Sequence, residues 1–443
     1  MPSYIRKVKN KNGAILVQIE HKRGRQRTGI THIGTAHNDK ELKLLCALAY
    51  KKIHEGQLAF NFYPAGEYTT KLRKTYSELL WNTLEYVYNA LGFNQVNDPV
   101  YQQLVLSRII EPASKLDTIR ILNSLGLKAP SNTSIHRCLS RIIEYNYRDI
   151  ISSICFQNSA KTALTLVLYD VTTLYFEIQK SDEYRKPGFS KERRLEPQIT
   201  IGLLVDSTGF PLEIQSFEGN RAEVNTLIPV LAGFKERHGL KDITVTADAS
   251  MLSAGNIEVL EQLGYHYIIG SKLAKTPYDI GIYVTDNKPE LNDGQILESF
   301  KIVTIDNKRV QRREILQYKQ KRASLDLLNI DKTIVKAQNI IDQKADIKRN
   351  RFLKITDEKR ELNLTLINEA RCRAGIKGYL TDLDIPAQQV IDAYHQLFHI
   401  EKSFRMSKSD LKARPIFHHK KDSIEAHLTI VFTALAIAHY IET

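Results

Sequence analysis

The spacing of apolar residues divides the chain into regions. From Tyr76 to Leu91 and from Pro99 to Ile110 they recur every three or four positions, which predicts amphipathic helices. Ser131 to Tyr147 repeats the pattern, with Ser131 or Asn132 placed to cap it. At Leu164 the period falls to two or gives way to continuous apolar runs, the mark of strands. Leu164 to Tyr169, Pro197 to Val205 and Pro211 to Phe217 read as an antiparallel meander, with Asp206-Ser207-Thr208-Gly209 as a turn. Ala222 to His238 then reads as a helix ended by Gly239. Strand Ile243 to Thr246, helix Ala254 to Leu263 and strand Tyr265 to Gly270 follow.

Three antiparallel strands, helix, strand, helix, strand is the order of a ribonuclease H-like fold. The expected architecture is therefore mixed α/β, a mixed sheet flanked by helices. Residues 161–270 and 376–443 would form this catalytic domain, with a late strand at Gly378 to Leu383 and a helix after Pro386. Residues 271–375 are rich in Lys, Asp and Asn and read as an insertion subdomain. It would carry a hairpin, Ser299 to Thr304 and Arg309 to Tyr318 around Asp306-Asn307, and a helix from Ser324 to Asp346. Residues 61–160 read as a helical region for DNA binding or dimerisation, or as a plain packed bundle. Residues 1–60 read as a small β-rich unit, with strands Tyr4 to Lys9 and Ala14 to Glu20 flanking Asn12-Gly13.

Charge adds a partner to this outline. The 443 residues carry 63 Lys and Arg against 50 Asp and Glu, a net of +13, which suits a polyanion. Residues 1–40 hold nine of the cations and only Glu20 and Asp39, and HKRGRQR runs from His21 to Arg27. This concentration reads as a DNA-binding arm; a solvated hairpin is the plain alternative. Cys46, Cys138, Cys155 and Cys372 form no CxxC pair, which fits a reducing, cytoplasmic and nucleoid-associated setting. The start of the chain shows no signal peptide, and the longest apolar run, Leu428 to Ile437, is too short to span a bilayer and reads as a buried helix, so no membrane is expected.

Three carboxylates stand out. Asp170, in LVLYDVTTLYF, ends an apolar strand, where an ionised group is costly to bury without a partner such as a metal; a local turn bond is the simpler reading. Asp248, in ITVTADASMLS, also follows a strand; it could cap the next helix, though Ser250 and Ser253 are better placed. Glu401 lies on a predicted helix, seven residues from both Tyr394 and Lys408, so the three fall nearly in line, with Arg405 one turn beyond. A surface Glu–Arg pair explains part of this, but a face of Tyr, Glu and two cations suits a phosphate. Phosphodiester chemistry needs hard oxygen ligands of this kind at a rigid sheet edge. His395, His399, His418 and His419 lack the spacing of a zinc site.

Taken in order, YDVTTLYFE, FEGNRAEVNTL, TADAS and IEKSFRMSKSDLKARPIFHH resemble bacterial insertion-sequence transposases of the DDE superfamily, in the branch with a Tyr-Arg-Glu-Lys signature. That signature is Y-x2-R-x3-E-x6-K; Tyr394, Glu401 and Lys408 fall on it, and Leu397 stands at the arginine position. The resemblance runs from about residue 76 to the end, with the carboxylates 78 and 153 residues apart and the long interval leaving room for an insertion. It implies two Mg2+ (or Mn2+) ions held by Asp170, Asp248 and Glu401, with Asp170 bridging. It also implies DNA contacts by Tyr394 and Lys408, with Arg405 or Lys402 in place of the missing arginine. The partners would be double-stranded DNA, both terminal inverted repeats and target, and a second copy of the chain on paired ends. A DNA-binding regulator that has lost catalysis, and a nuclease without strand transfer, are the competing functions.

Overall fold

A computed structural model describes residues 3–54 and 78–443, apart from 11–12, 25, 161–165, 178–179, 189–195, 240–242, 252, 272–290, 306–307, 345, 347–348 and 356–358. Asn12, Tyr76, Leu164 and the Asp306-Asn307 turn of the sequence reading lie outside the described residues. The chain divides into two compact units, Met1–Thr75 and Tyr76–Thr443.

The first unit is a three-stranded antiparallel sheet, β1 (Ser3–Lys9), β2 (Ile15–Arg23) and β3 (Gln26–Ala36), followed by helix α1 (Asp39–Ile53). Val17, Ile19 and Ala49 close its small core. The basic stretch is the β2–β3 hairpin, with Gly24 in the left-handed region at the turn. Helix α1 starts with a capping box: the Asn38 side chain accepts from the Glu41 N–H at 2.9 Å, and the Glu41 carboxylate accepts from the His37 N–H at 2.8 Å.

The second unit opens with helices α2 (Glu78–Ala90), α3 (Pro99–Ile110), α4 (Asp117–Ser124), α5 (Asn132–Glu144) and α6 (Tyr147–Ala160). Pro99 sits at the first turn of α3, and Asp98 caps it by accepting from the N–H groups of Val100 and Tyr101 at 3.0 and 3.2 Å. The other Asp98 oxygen accepts from Arg141 Nε at 2.9 Å and the Tyr147 hydroxyl at 3.0 Å, tying α3 to α5 and α6. The helix predicted over Ser131 to Tyr147 is α5, capped by Ser131 as expected, but it stops at Glu144, because Asn146 adopts φ 47° before α6 begins.

The sheet follows: β4 (Leu166–Tyr175), β5 (Gln198–Asp206), β6 (Pro211–Glu218), helix α7 (Leu227–His238), β7 (Thr244–Ala247), helix α8 (Ala254–Gln262) and β8 (His266–Ser271). Gly219 allows the turn after β6, since a Cβ there would sit 2.0 Å from the Gln198 carbonyl. Strands β9 (Ile296–Ile305) and β10 (Lys308–Tyr318), helix α9 (Gln320–Ile341), hairpin β11 (Leu353–Ile355) and β12 (Arg360–Leu362), and helix α10 (Leu364–Cys372) come next. Strand β13 (Ile376–Thr381) then leads to helices α11 (Ala387–His395), α12 (Leu397–Arg405) and α13 (Lys421–Glu442). The eight-stranded mixed sheet runs β6-β5-β4-β7-β8-β13-β10-β9. Its first five strands realise the expected order, parallel from β4 through β7 to β8.

The predicted hairpin in the 271–375 block is β9–β10, and it extends the main sheet through β10–β13 pairing. Ile315 and Leu316 are buried on opposite faces of β10, Arg312 pairs with Glu261 of α8 at 2.9 Å, and Arg313 pairs with Glu298 of β9 at 2.7 Å. One reading is corrected: the helix carrying the apolar run, α13, spans 22 residues and is long and apolar enough to cross a membrane, where the run alone read as too short. It is the buried helix expected there: α13 is enclosed from Ala426 to Ile437, with α2, α3, α5, α6 and β6 packed around it. Its buried Thr429 and Thr433 hydroxyls bond carbonyls one turn back, at 2.9 and 3.0 Å. Helices α2–α6 thereby share one hydrophobic core with the sheet.

Candidate active site

Strand pairing alone brings two of the carboxylates together. β4 and β7 run parallel, with Tyr169 opposite Ala247 as their last pair. Asp170 and Asp248 come one residue later on neighbouring strands, which lie about 4.8 Å apart. β7 is paired in turn with β8, Ala247 opposite Ile269, so Gly270 occupies the same level, and Tyr379 of β13 faces Gly270. Leu203, Asp170, Asp248, Gly270 and Tyr379 thus form one row across the sheet. The sequence reading put Asp170 at a strand end. It is mid-strand, because β4 continues to Tyr175 against β5 after its ladder to β7 has stopped.

Helices α11 and α12 cover this row, α11 against β7, β8 and β13, α12 against β4 and β5. A cleft of about 280 Å3 opens between them and the sheet, lined by Asp170, Asp248, Lys377, Tyr394, His395, Leu397, Phe398, Ile400 and Glu401. Asp170, Asp248, Glu401 and Tyr394 therefore converge from four elements. Asp248 and Glu401 are exposed, and Asp170 is half-buried. Ser253 caps α8 by accepting from the Asn256 N–H at 3.0 Å, so Asp248 is not committed to that helix. One Asp248 oxygen accepts from the Ala249 N–H at 2.7 Å and from the Tyr394 hydroxyl at 2.9 Å. Burial, then the Asp248 charge, holds the Tyr394 phenol well above its usual pKa, so it remains a donor. Gly270 leaves the room this contact needs: a Cβ there would lie 2.7 Å from the Tyr394 oxygen.

The remaining signature residues are placed differently. The Tyr394–Glu401–Lys408 line assumed one helix. Instead α11 ends at His395, α12 begins at Leu397, and Met406–Asp410 is a π-turn closed by the Leu411 N–H on the Met406 carbonyl at 2.9 Å. The wider turn rotates Lys408 off the line. It lines a small apolar cavity beside Thr172 and Leu174, not the cleft. Lys402 pairs with Glu442 at 3.0 Å and Arg405 is exposed; neither lines the cleft.

The cation in the cleft is Lys377 of β13, with its Nζ 4.2 Å from the centre of the Tyr394 ring and 5.7 Å from that of Tyr379. Burial and then Arg322 pull its pKa down, against the opposing pull of Asp248 and Glu401. Leu397 lines the same cleft. The sequence reading missed Lys377, though a lysine inside the apolar strand IKGYLT was a signal. His395, also lining the cleft, is held below its usual pKa first by burial and then by Lys377.

Residues 162–437 match the family model of the transposase DDE domain. The chain belongs to that family. No curated protein matches it in sequence. Among solved structures, the piggyBac transposase synaptic complex with hairpin DNA is similar at 11% identity and a TM-score of 0.41, covering 82% of this chain and 65% of that one. A pre-cleavage Mos1 transpososome is similar at 14% identity and a TM-score of 0.18, covering 56% of this chain and 71% of that one.

The DDE domain's donors suit hard cations: three carboxylates, with no cysteine lining the cleft. Among the described residues no three of His, Cys, Asp and Glu stand close enough to hold one ion together. A two-ion arrangement does not require that. Ions bound there would complete their shells with water and phosphate oxygens.

Proposed function

We propose that the chain is an insertion-sequence transposase of the Tyr-Arg-Glu-Lys branch, which cuts DNA at the ends of its element and joins them to target DNA. The observation that carries this is the convergence of Asp170, Asp248 and Glu401 on one cleft at a rigid sheet row. In the first step water attacks the phosphorus at the element's end, the bond to the 3′ oxygen breaks, and a 3′-hydroxyl is released. In the second that hydroxyl attacks a target phosphodiester, a bond to the element forms, and the target's own 3′ oxygen leaves.

Two Mg2+ or Mn2+ ions, when bound, would supply Lewis acidity and lower the pKa of the attacking hydroxyl. Asp170, Asp248 and Glu401 would hold them. Tyr394 orients Asp248 through its 2.9 Å hydrogen bond. Lys377 sets a positive charge opposite the phosphate at the place where the signature arginine is missing, and it replaces Lys402 and Arg405 in that role. The basic β2–β3 hairpin would add sequence-independent phosphate contacts. Double-stranded DNA and a second copy of the chain are the partners of this reading.

The test is a metal-dependent assay on DNA carrying the element's terminal repeats. Cleavage with joining supports the reading; cleavage alone makes the chain a nuclease, and binding alone a regulator. Asp170→Asn is expected to abolish cleavage and spare end binding, and a variant that still cleaves overturns its assigned role.

A further inference from the structure

A second cavity, of about 450 Å3, lies apart from the carboxylate cleft, between the loop after α3, the start of α5 and the chain following the π-turn. That volume is within the range of small-ligand sites, which are mostly apolar with a few placed polar groups. Ile135, Leu139, Pro112 and Pro415 supply apolar wall.

The polar groups are unusual in sign. Lys115 Nζ donates to His418 Nε2 at 2.7 Å and to His427 Nδ1 at 3.0 Å. His427 Nε2 donates to the Ala413 carbonyl at 3.0 Å, so its Nδ1 can only accept. Two of the three bonding directions of Nζ are thereby used. Arg108, beside it, is committed to the carbonyls of Leu411, Lys412 and Ala113 at 3.0–3.2 Å. Lys412, Arg414 and His136 also line the cavity. Among the described residues no Asp or Glu lines it, and Asp117 on the adjoining α4 is hydrogen-bonded to Ser114.

The consequences appear in Lys115 and in both histidines it touches. Burial and then Arg108 pull Lys115 well below its usual pKa. Burial, then Lys115, Arg108, His419 and His136, push His418 down to about 3. His427 is lowered well, by burial and then Lys115 and Arg108. Buried around Lys115 with no carboxylate among the described lining residues, these groups are held toward neutrality, and an oxyanion would reverse this.

We propose that this cavity is a binding site for a phosphate group, contacted by Lys115 at its floor and by Lys412 at its rim. Donors from separate elements suit a tetrahedral anion better than a flat carboxylate. Phe417, 66% exposed and lining the same cavity, offers a face for a base if the phosphate belongs to a nucleotide. The phosphate is either free or part of a DNA strand. The inference does not depend on the transposase reading, and the carboxylate cleft stands whether or not it holds.

The experiment is amine labelling of the full chain read by mass spectrometry at Lys115, with inorganic phosphate, with chloride at matched ionic strength, and with a short single-stranded oligonucleotide. Lys115 is expected to label at lower pH than the other lysines and to be protected saturably by phosphate but not by chloride. Protection by the oligonucleotide at lower concentration than phosphate identifies a DNA phosphate; protection by phosphate alone identifies a free one. Lys115→Met, close in volume, should lose the phosphate-induced rise in melting temperature. Equal protection by chloride, or a phosphate response retained in Lys115→Met, overturns the proposal. If that variant does not fold, labelling of the native chain decides.

Discussion

The hydrogen bond from Tyr394 to Asp248 isolates how the cleft prepares its ligands. Tyr394→Phe deletes one oxygen and keeps the ring, so the edge-on contact with Tyr379 at 5.0 Å and the Lys377 ammonium over its face both survive. What is lost is a 2.9 Å bond to a carboxylate. Such a bond contributes about 1.5–3 kcal/mol when both groups are sheltered. Asp248 is exposed, so water replaces part of it, and about 1.4 kcal/mol, roughly tenfold, is the expected loss. Outer partners of metal ligands act on that scale, about 10–100-fold in metal affinity or activity. The assay is cleavage rate against Mg2+ and Mn2+ concentration, alongside end binding without metal. The half-saturating metal concentration should rise about tenfold, with melting temperature and DNA binding unchanged. Since Tyr394 remains protonated throughout the assay range, the loss should not vary with pH. An unchanged metal titration would refute the claim that Tyr394 holds Asp248 for an ion.

Three further outcomes follow from the geometry. Gly270→Ala puts a methyl 2.7 Å from the Tyr394 oxygen and 3.1 Å from the Ala249 nitrogen, and overpacking of this kind costs about 1–3 kcal/mol. Adding Tyr394→Phe should return part of that stability in a denaturant titration, and simple additivity would count against the contact. Lys377→Met should slow cleavage about 10²-fold with little change in end binding. Because the Lys377 pKa is lowered, native activity should fall as pH rises through it, and a Met variant that keeps this alkaline limb disproves the assignment. Asp98 has its pKa depressed, since Arg141 and the Tyr101 N–H outweigh the effect of burial. Its stabilising contribution is therefore present above the unfolded value of about 3.9 and lost as pH falls through the lower folded one. Asp98→Asn should cost about 1–3 kcal/mol at neutral pH and flatten the acid end of the stability curve; a curve as steep as the native one excludes that role.

How far the sequence could be read depended on whether the deciding contacts were local. Strands β4 to β8 announce themselves because the central strands are buried on both faces and read as unbroken apolar runs. β9 and β10 are legible as a hairpin, but their place in the main sheet is not, because it rests on the β10–β13 pairing and on Glu261, some fifty positions before its partner Arg312. Helix α1 was legible and passed over: Asn38 and Glu41 are a capping box in plain spacing. The same distinction runs through the cleft. Asp170 and Asp248 could be picked out as acids beside apolar strands, but their adjacency rests on the Tyr169–Ala247 pairing, which no local pattern reports. Seven-residue spacing describes one unbroken helix, and it fails for Lys408 at the first wide turn. The cation then comes from the neighbour across the sheet. β13 returns antiparallel to β8 with Tyr379 opposite Gly270, so the residue two positions earlier, Lys377, lies on the same face near the sheet edge where Tyr394 descends. A leucine at the signature arginine is therefore compatible with a charged cleft, because the register of β13 supplies from the sheet the charge that α12 no longer carries.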